Sequence, residues 1–276
     1  MLYYYVNTGH KIGLEKLRRA VSILKKINAK EAGKTQFLVN DFRAGLVARE
    51  LGLRDYVTIE TVQDIDAIAQ GGDSIIIDSI EDDHGRLVKY CTDFKRVWRF
   101  SHSTGDKPIH TEKVIPLDSI SIDETYQETL PKEERVLFFL GDSDYDKTIL
   151  KNDNFFKNFK MELLLGTYFF VKYEDDLAKL FTTLHEPEEY ETLIKETKTI
   201  VTTSSHTALE AIATGARVIF LDISLITNYS NEILEKYGVE IVKGFDVEKV
   251  QQLLADNRPH KNIKIEQINE MEFMIE

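Results

Sequence analysis

The chain alternates short apolar runs with amphipathic stretches. The first run is Leu2–Val6, which leads through Asn7-Thr8-Gly9-His10 into a segment from about Gly13 to Ile27. There Leu14, Leu17, Val21, Leu24 and Ile27 recur at three- and four-residue spacing, the pattern of one buried helical face. Runs at Gln36–Val39, Tyr56–Ile59, Ser74–Ile77 and Arg96–Phe100 follow, separated by helical segments through Phe42–Leu51, Val62–Ala69 and Arg86–Cys91. The Ser74–Ile77 run is apolar without alternation, as in a strand buried on both faces. Repeated βα units of this kind predict a parallel sheet covered on both sides.

From about Thr104 to Glu134 the alternation lapses, and Pro108, Pro116 and Pro131 fall there. This stretch is read as an interdomain region. The pattern then resumes. Strands are expected at Arg135–Leu140, Met161–Leu165, Thr182–Leu184, Thr199–Thr202, Arg217–Leu221 and Glu240–Val242. Helices are expected around Lys147–Leu150, Asp175–Leu180, Glu188–Glu196, Thr207–Thr214, Thr227–Tyr237 and Val247–Leu254. The predicted fold is α/β, with two Rossmann-like domains facing a cleft: residues 1–117, a linker over 118–134, and residues 135–276. A cleft between two such halves is the default ligand site.

Composition narrows the ligand. The 276 residues suit two domains, and 42% hydrophobic with 30% charged residues is a globular balance. Lys+Arg is 35 and Asp+Glu is 47, a net charge of −12. That argues against a nucleic-acid partner, which needs a basic surface to displace phosphate counterions. A single phosphorylated small molecule is still compatible, because a local loop can hold it against the global charge. The lone Cys91 excludes a disulfide scaffold or a cysteine zinc cluster and favours a reducing compartment. No run approaches the ~20 apolar residues that span a bilayer. Met1–Val6 lacks the basic region and cleavage site of a signal peptide, so a cytoplasmic location is expected. No metal and no cofactor are implied.

In open parallel sheets, ligands sit at the carboxyl ends of strands, where helix N-termini offer unpaired N–H groups. Three strand-to-helix loops are candidates. In the first, Asn7–Gly13, Gly9 and Gly13 allow close backbone approach and His10 offers a base or donor; a plain turn accounts equally for these residues. In the second, Gly141, Asp142, Ser143 and Asp144 follow the first strand of the second half, and helix capping is the alternative role. In the third, Ser204, Ser205, His206 and Thr207 enter a helix of small residues, Ala208, Ala211 and Ala213, with Glu210 one turn in. This loop suits a phosphate and a ribose hydroxyl, or an ordinary N-cap with a favourable acid.

Asp78 closes a strand and is a further candidate. Glu81-Asp82-Asp83-His84 reads as a solvated acidic loop rather than a metal cluster, because consecutive residues rarely converge on one ion. A surface role is expected for His185 and a solvated helix face for Arg18 and Arg19. Cys91 and Trp98 are read as packed, and His102 and His110 receive no role.

Two Rossmann-like halves, a glycine loop after the first strand and a Ser/Thr loop entering a helix with an early Glu resemble the GT-B nucleotide-sugar enzymes. The UDP-sugar hydrolase of pseudaminic acid biosynthesis is the nearest in size and element order, with the peptidoglycan N-acetylglucosaminyl transferase more distant. The resemblance runs over most of the chain, and rests on Ile12–Lys25, Ser74–Asp78, Phe138–Asp144 and Thr203–Ala211. It implies a UDP-sugar or similar ligand, with Glu210 on the uridine ribose, Ser204–Thr207 around the diphosphate and Gly141–Asp144 as the facing glycine loop. The hydrolase's Gly-x-Gly-His segment places its water-activating histidine at Lys16 here and its second glycine at Glu15. Lysine is a poor base unless strongly desolvated. His10 is the alternative base, since Thr8-Gly9-His10 is similar to the transferase's glycine-histidine loop. A catalytically inactive binding or scaffold protein on the same fold is the rival reading.

Overall fold

A computed structural model describes residues 1–128, 130–223, 228–256 and 263–274. The chain divides into two compact units. One is Met1–Ile122 together with Gln267–Glu276, and the other is Asp123–Glu266.

The first unit holds β1 (Leu2–Val6), β2 (Thr35–Val39), β3 (Tyr56–Thr58), β4 (Ser74–Asp78), β5 (Arg96–Phe100) and β6 (Lys113–Ile115). They form one sheet in the order β3-β2-β1-β4-β5-β6, parallel throughout. Tyr4 at the centre of β1 lies opposite Phe37 on one side and Ile76 on the other. The long helix Glu15–Lys30 buries Leu17, Val21, Leu24 and Ile27, the predicted apolar stripe.

The second unit holds β7 (Glu133–Phe139), β8 (Glu162–Leu164), β9 (Leu184–His185), β10 (Thr197–Thr202), β11 (Arg217–Asp222) and β12 (Glu240–Lys243). Their order is β12-β11-β10-β7-β8-β9, again parallel. Numbered from its own first strand and viewed from the other edge, this is the order of the first sheet. In both sheets, therefore, strands one and four of the unit are neighbours, at β1/β4 and β7/β10. That junction is the topological switch point, outside which open α/β sheets bind ligands.

The α/β expectation with two parallel sheets is realised, with differences at the edges of elements. The lapse at 104–134 hides β6, which extends the first sheet and pairs Phe100 with Ile115. Three residues flanked by prolines carry too little periodicity to register as a strand. The first unit thus runs on to Ile122, into the stretch read as a linker, and the second begins at Asp123. The C-terminal segment from Gln267, assigned by sequence to the second half, clusters with the first. Ile268 N–H donates to the Ile120 carbonyl at 2.7 Å, and Phe273 meets Trp98 edge-on with centroids 5.4 Å apart. The helix expected from Thr227 is Asn231–Lys236, capped by Ser230; Thr227 itself lies outside the described residues.

The loops after β7 and β8 pack backbone to backbone. Tyr168 N–H donates to the Asp142 carbonyl at 2.9 Å, and a Cβ on Gly166 would stand 2.5 Å from the Asp142 carbonyl carbon. Neither partner is a flexible side chain that could yield. Gly166→Ala is therefore expected to lower unfolding stability by about 1–3 kcal/mol through overpacking, read as a reduced urea midpoint at unchanged slope.

Candidate functional site

At the first switch point, β1 ends at Val6 and the turn Asn7–Leu14 enters the helix Glu15–Lys30. Gly9 (φ 144°) and Gly13 (φ 78°) occupy backbone conformations that disfavour side chains. The Gly9 carbonyl accepts from Ile12 and Gly13 N–H at 3.0 and 2.9 Å, which closes the turn. Asn40, after β2, pins it by accepting from Thr8 N–H at 2.7 Å and donating to the Thr8 carbonyl at 3.0 Å. His10 sits half-buried on this turn.

Asp78 closes β4 beside that turn, but its carboxylate is turned inward. It is 0% exposed, as is Arg19. Arg19 Nε and Nη2 donate to Asp78 Oδ2 at 3.0 and 2.8 Å, and Nη2 reaches Oδ1 at 2.9 Å. Tyr4 hydroxyl adds a bond to Oδ2 at 3.2 Å, and the guanidinium lies 4.1 Å from the centre of the Phe100 ring. This corrects the solvated face expected for Arg19. A fork of donors matched to a carboxylate and laid on an aromatic ring offsets the loss of water that one-dimensional helical spacing leaves unexplained. Asp78 is thereby a structural anion holding the first helix to the sheet.

Two further groups lie near it: His102, given no role by the sequence, and Lys16, which the resemblance aligns with the hydrolase's histidine. His102, two residues past β5, has Nε2 3.7 Å from Asp78 Oδ1. Burial pushes its pKa down to about 4; Asp78 opposes this, and Lys16, Arg19 and Arg99 reinforce it. Lys16 is also lowered, chiefly by burial, with Asp78 opposing and Arg19 adding to the effect.

Tyr5, Glu81, Asp82 and Asp83 on this edge are occupied locally. Tyr5 hydroxyl donates to Glu81 Oε2 at 2.5 Å, and burial followed by Glu81 raises the Tyr5 phenol. Asp82 accepts from His84 N–H, and Asp83 accepts from Gly85 and Leu87 N–H at the start of helix Arg86–Asp93. Among the described residues no three His, Cys, Asp or Glu side chains are grouped to hold a metal. A cavity of about 750 Å³ is lined by Ser101, Asp106, Glu112, Asp118 and their neighbours around β6, and none of the candidate residues lines it.

At the second switch point, β10 ends at Thr202 and Ser204 caps the helix Ser205–Ala213. Ser204 Oγ accepts from Thr207 N–H at 3.1 Å and from the Thr207 hydroxyl at 2.8 Å. Thr203 hydroxyl donates to the Leu140 carbonyl, tying this loop to the end of β7. Beneath the cap, Tyr190 hydroxyl stands 2.7 Å from Thr207 Oγ1 and donates to Glu210 Oε2 at 2.5 Å. His206 is fully buried, stacked on Tyr229 with centroids 5.9 Å apart. Its Nε2 approaches Glu210 Oε1 at 3.2 Å, at an angle that makes no hydrogen bond. Sequence spacing alone could not show Tyr190, because it comes from the preceding helix, Tyr190–Glu196.

Gly141 takes φ 136° at the exit of β7. Asp144 is buried and caps the helix Thr148–Lys151, accepting from Thr148 and Ile149 N–H at 2.5 and 3.2 Å and from Tyr173 hydroxyl at 2.6 Å. Asp142 is held against the β8 loop, with Thr167 Oγ1 3.5 Å from its Oδ1. Ser143 is half-buried between them, and Ser205 Oγ accepts from Asn228 N–H at 3.3 Å. His185 binds Glu162 at 2.7 Å on the edge strand β9. No helix among the described residues is long and apolar enough to cross a membrane.

No family model matches this sequence, and no curated protein matches it. Solved structures do match the fold. The S. aureus MnaA–UDP co-structure aligns with TM-score 0.61 at 11% identity, over 92% of this chain and 88% of that one. UDP-GlcNAc 2-epimerase of Methanocaldococcus jannaschii, in complex with UDP-GlcNAc and UDP, aligns with TM-score 0.58 at 12% identity over 95% of both chains. E. coli heptosyltransferase WaaC with ADP aligns with TM-score 0.50 at 10% identity, over 92% of this chain and 97% of that one. The fold is the GT-B type that the sequence resemblance implied.

The His102 environment has a consequence for acid stability. Its folded pKa, about 4, lies below the unfolded value near 6.5. The unfolded chain therefore binds the proton first, and stability held above pH 6.5 is lost as pH falls from there towards 4. His102→Gln is expected to flatten that part of the stability–pH curve, measured by urea unfolding at half-unit steps.

Proposed function

We propose that this protein binds a UDP-sugar or a similar nucleotide-activated sugar and processes it as a hydrolase or glycosyltransferase. The observation that carries this reading is the Ser204-capped helix with Glu210 one turn in, set at the β7/β10 switch point. The helix N-terminus and the Gly141–Asp144 turn offer backbone amides to a diphosphate. Such fixed dipoles stabilise a leaving diphosphate without a side-chain cation, which suits a chain of net charge −12. Glu210, oriented by Tyr190, keeps lone pairs for a ribose hydroxyl. The likeness in fold to proteins solved with UDP, UDP-GlcNAc and ADP supports the same ligand class.

His10 is assigned the base, on the glycine turn after β1, where an imidazole can take a proton from water or an acceptor hydroxyl. A second reading, a binding protein without turnover, is favoured by Lys16 standing where the hydrolase carries its histidine.

Calorimetric titration with UDP, ADP and UDP-GlcNAc, paired with an assay for nucleotide release, tests both. Binding is expected, and Glu210→Gln should weaken it about tenfold, or roughly 1.4 kcal/mol. His10→Ala should cut turnover by about a hundredfold or more while leaving affinity within about twofold. Binding with no release of nucleotide would favour the second reading, and no binding of any of the three would end both.

A further inference from the structure

The first switch point carries buried polar atoms that no described residue satisfies. Lys16 is 5% exposed and Asn7 4%, yet Lys16 Nζ and Asn7 Oδ1 have no hydrogen-bond partner. His102 Nε2 is a third such atom. Lys16 and His102 face one place: His102 Nε2 is 3.7 Å from Asp78 Oδ1, and Lys16 acts electrostatically on His102. The Asn7 backbone lies beside it, its N–H 3.4 Å from the Asp78 carbonyl.

Asp78 does not serve as the lysine's counterion by contact, because its oxygens are taken by Arg19 and Tyr4. Glu81 is likewise engaged, by Tyr5 and Ser79. Helix position makes the lysine still less favourable. It is the second residue of a 16-residue helix whose N-cap, Leu14, makes no side-chain cap bond. The positive end of the helix dipole therefore lies beside a buried ammonium; Glu15 in the same turn eases the repulsion, yet burial still lowers the lysine's pKa. Buried polar groups left unpaired in a folded chain call for a partner from outside it.

We propose that the first unit holds an oxyanion site at the β1/β4 switch point, with Lys16 and the uncapped helix N-terminus as receptor. Its ligand carries an oxyanion close to a hydroxyl. The oxyanion accepts from Lys16 Nζ and, in the Nε2–H tautomer, from neutral His102. The hydroxyl donates to Asn7 Oδ1. A sugar phosphate and a sugar acid share this chemistry. The site goes beyond the nucleotide-sugar reading, whose diphosphate and ribose contacts are in the second unit.

Glucose 6-phosphate, glucuronate and glucose, titrated by calorimetry into the full chain, decide it. One or both anions should bind, glucose should not, and the better anion identifies the source. Lys16→Met should weaken anion binding about tenfold or more. The same variant should raise the thermal midpoint of the ligand-free protein, since it removes an unpaired buried charge without leaving a hole. Glu210→Gln should leave anion affinity within about twofold, so loss of nucleotide binding and loss of this site read out separately. Wild-type crystals soaked in tungstate give a readout that needs no variant: a peak within about 3.2 Å of Lys16 Nζ is expected. No binding of either anion, glucose binding as well as the anions, unchanged affinity in Lys16→Met, or no tungstate peak at Lys16 would each overturn the proposal.

Discussion

Parallel strands need crossover connections, and the order 3-2-1-4-5-6 sends those connections to opposite faces on either side of one junction. Each unit obeys this constraint independently, at β1/β4 and at β7/β10. The connections leaving those two strand pairs turn to opposite faces of the sheet there. Gly9, His10, Gly13 and Asp78 follow β1 and β4, while Gly141–Asp144 and Ser204–Glu210 follow β7 and β10. The candidate chemistry is concentrated where the topology leaves room for it.

The two junctions are finished differently. In the second unit, His206 Nε2 apart, the polar groups named above bond to one another or to helix amides: Ser204 accepts from Thr207, Tyr190 holds Glu210, and Asp144 accepts from Thr148 and Ile149 N–H. Such a network orders side chains around a helix N-terminus and keeps the backbone amides as the surface offered to a ligand. In the first unit one ion pair, Arg19–Asp78, binds helix to sheet with no exposed atoms, and the groups around it are left short of partners. Removing either member of that pair would leave a buried charge uncompensated, which is costlier than losing the attraction itself. The depressed protonation of His102 is a product of the same dry, positively biased surroundings.

The apolar periodicity was enough to read most strands, the long first helix and the doubled α/β pattern, because burial on one helical face or both sheet faces leaves a one-dimensional trace. The glycine turns and the Ser204 cap were legible for the same local reason: backbone conformation and first-turn hydrogen bonds depend on residues a few positions apart. β6 was not, being three residues long between prolines, and neither was the return of Gln267–Glu276 to the first unit, which rests on Ile120 and Trp98 far back in the chain.

By itself, then, the sequence determined the fold class and the loops worth inspecting, since both follow from spacing and local conformational preference. Tertiary structure decided the charge chemistry. It buried Arg19 against Asp78, set Tyr190 on Glu210, sealed His206 behind Tyr229, and left Lys16 Nζ and Asn7 Oδ1 without hydrogen-bond partners among the described residues. The paired outcomes join residues 20 to 59 positions apart, and their energies depend on dielectric surroundings and geometry that no local pattern carries.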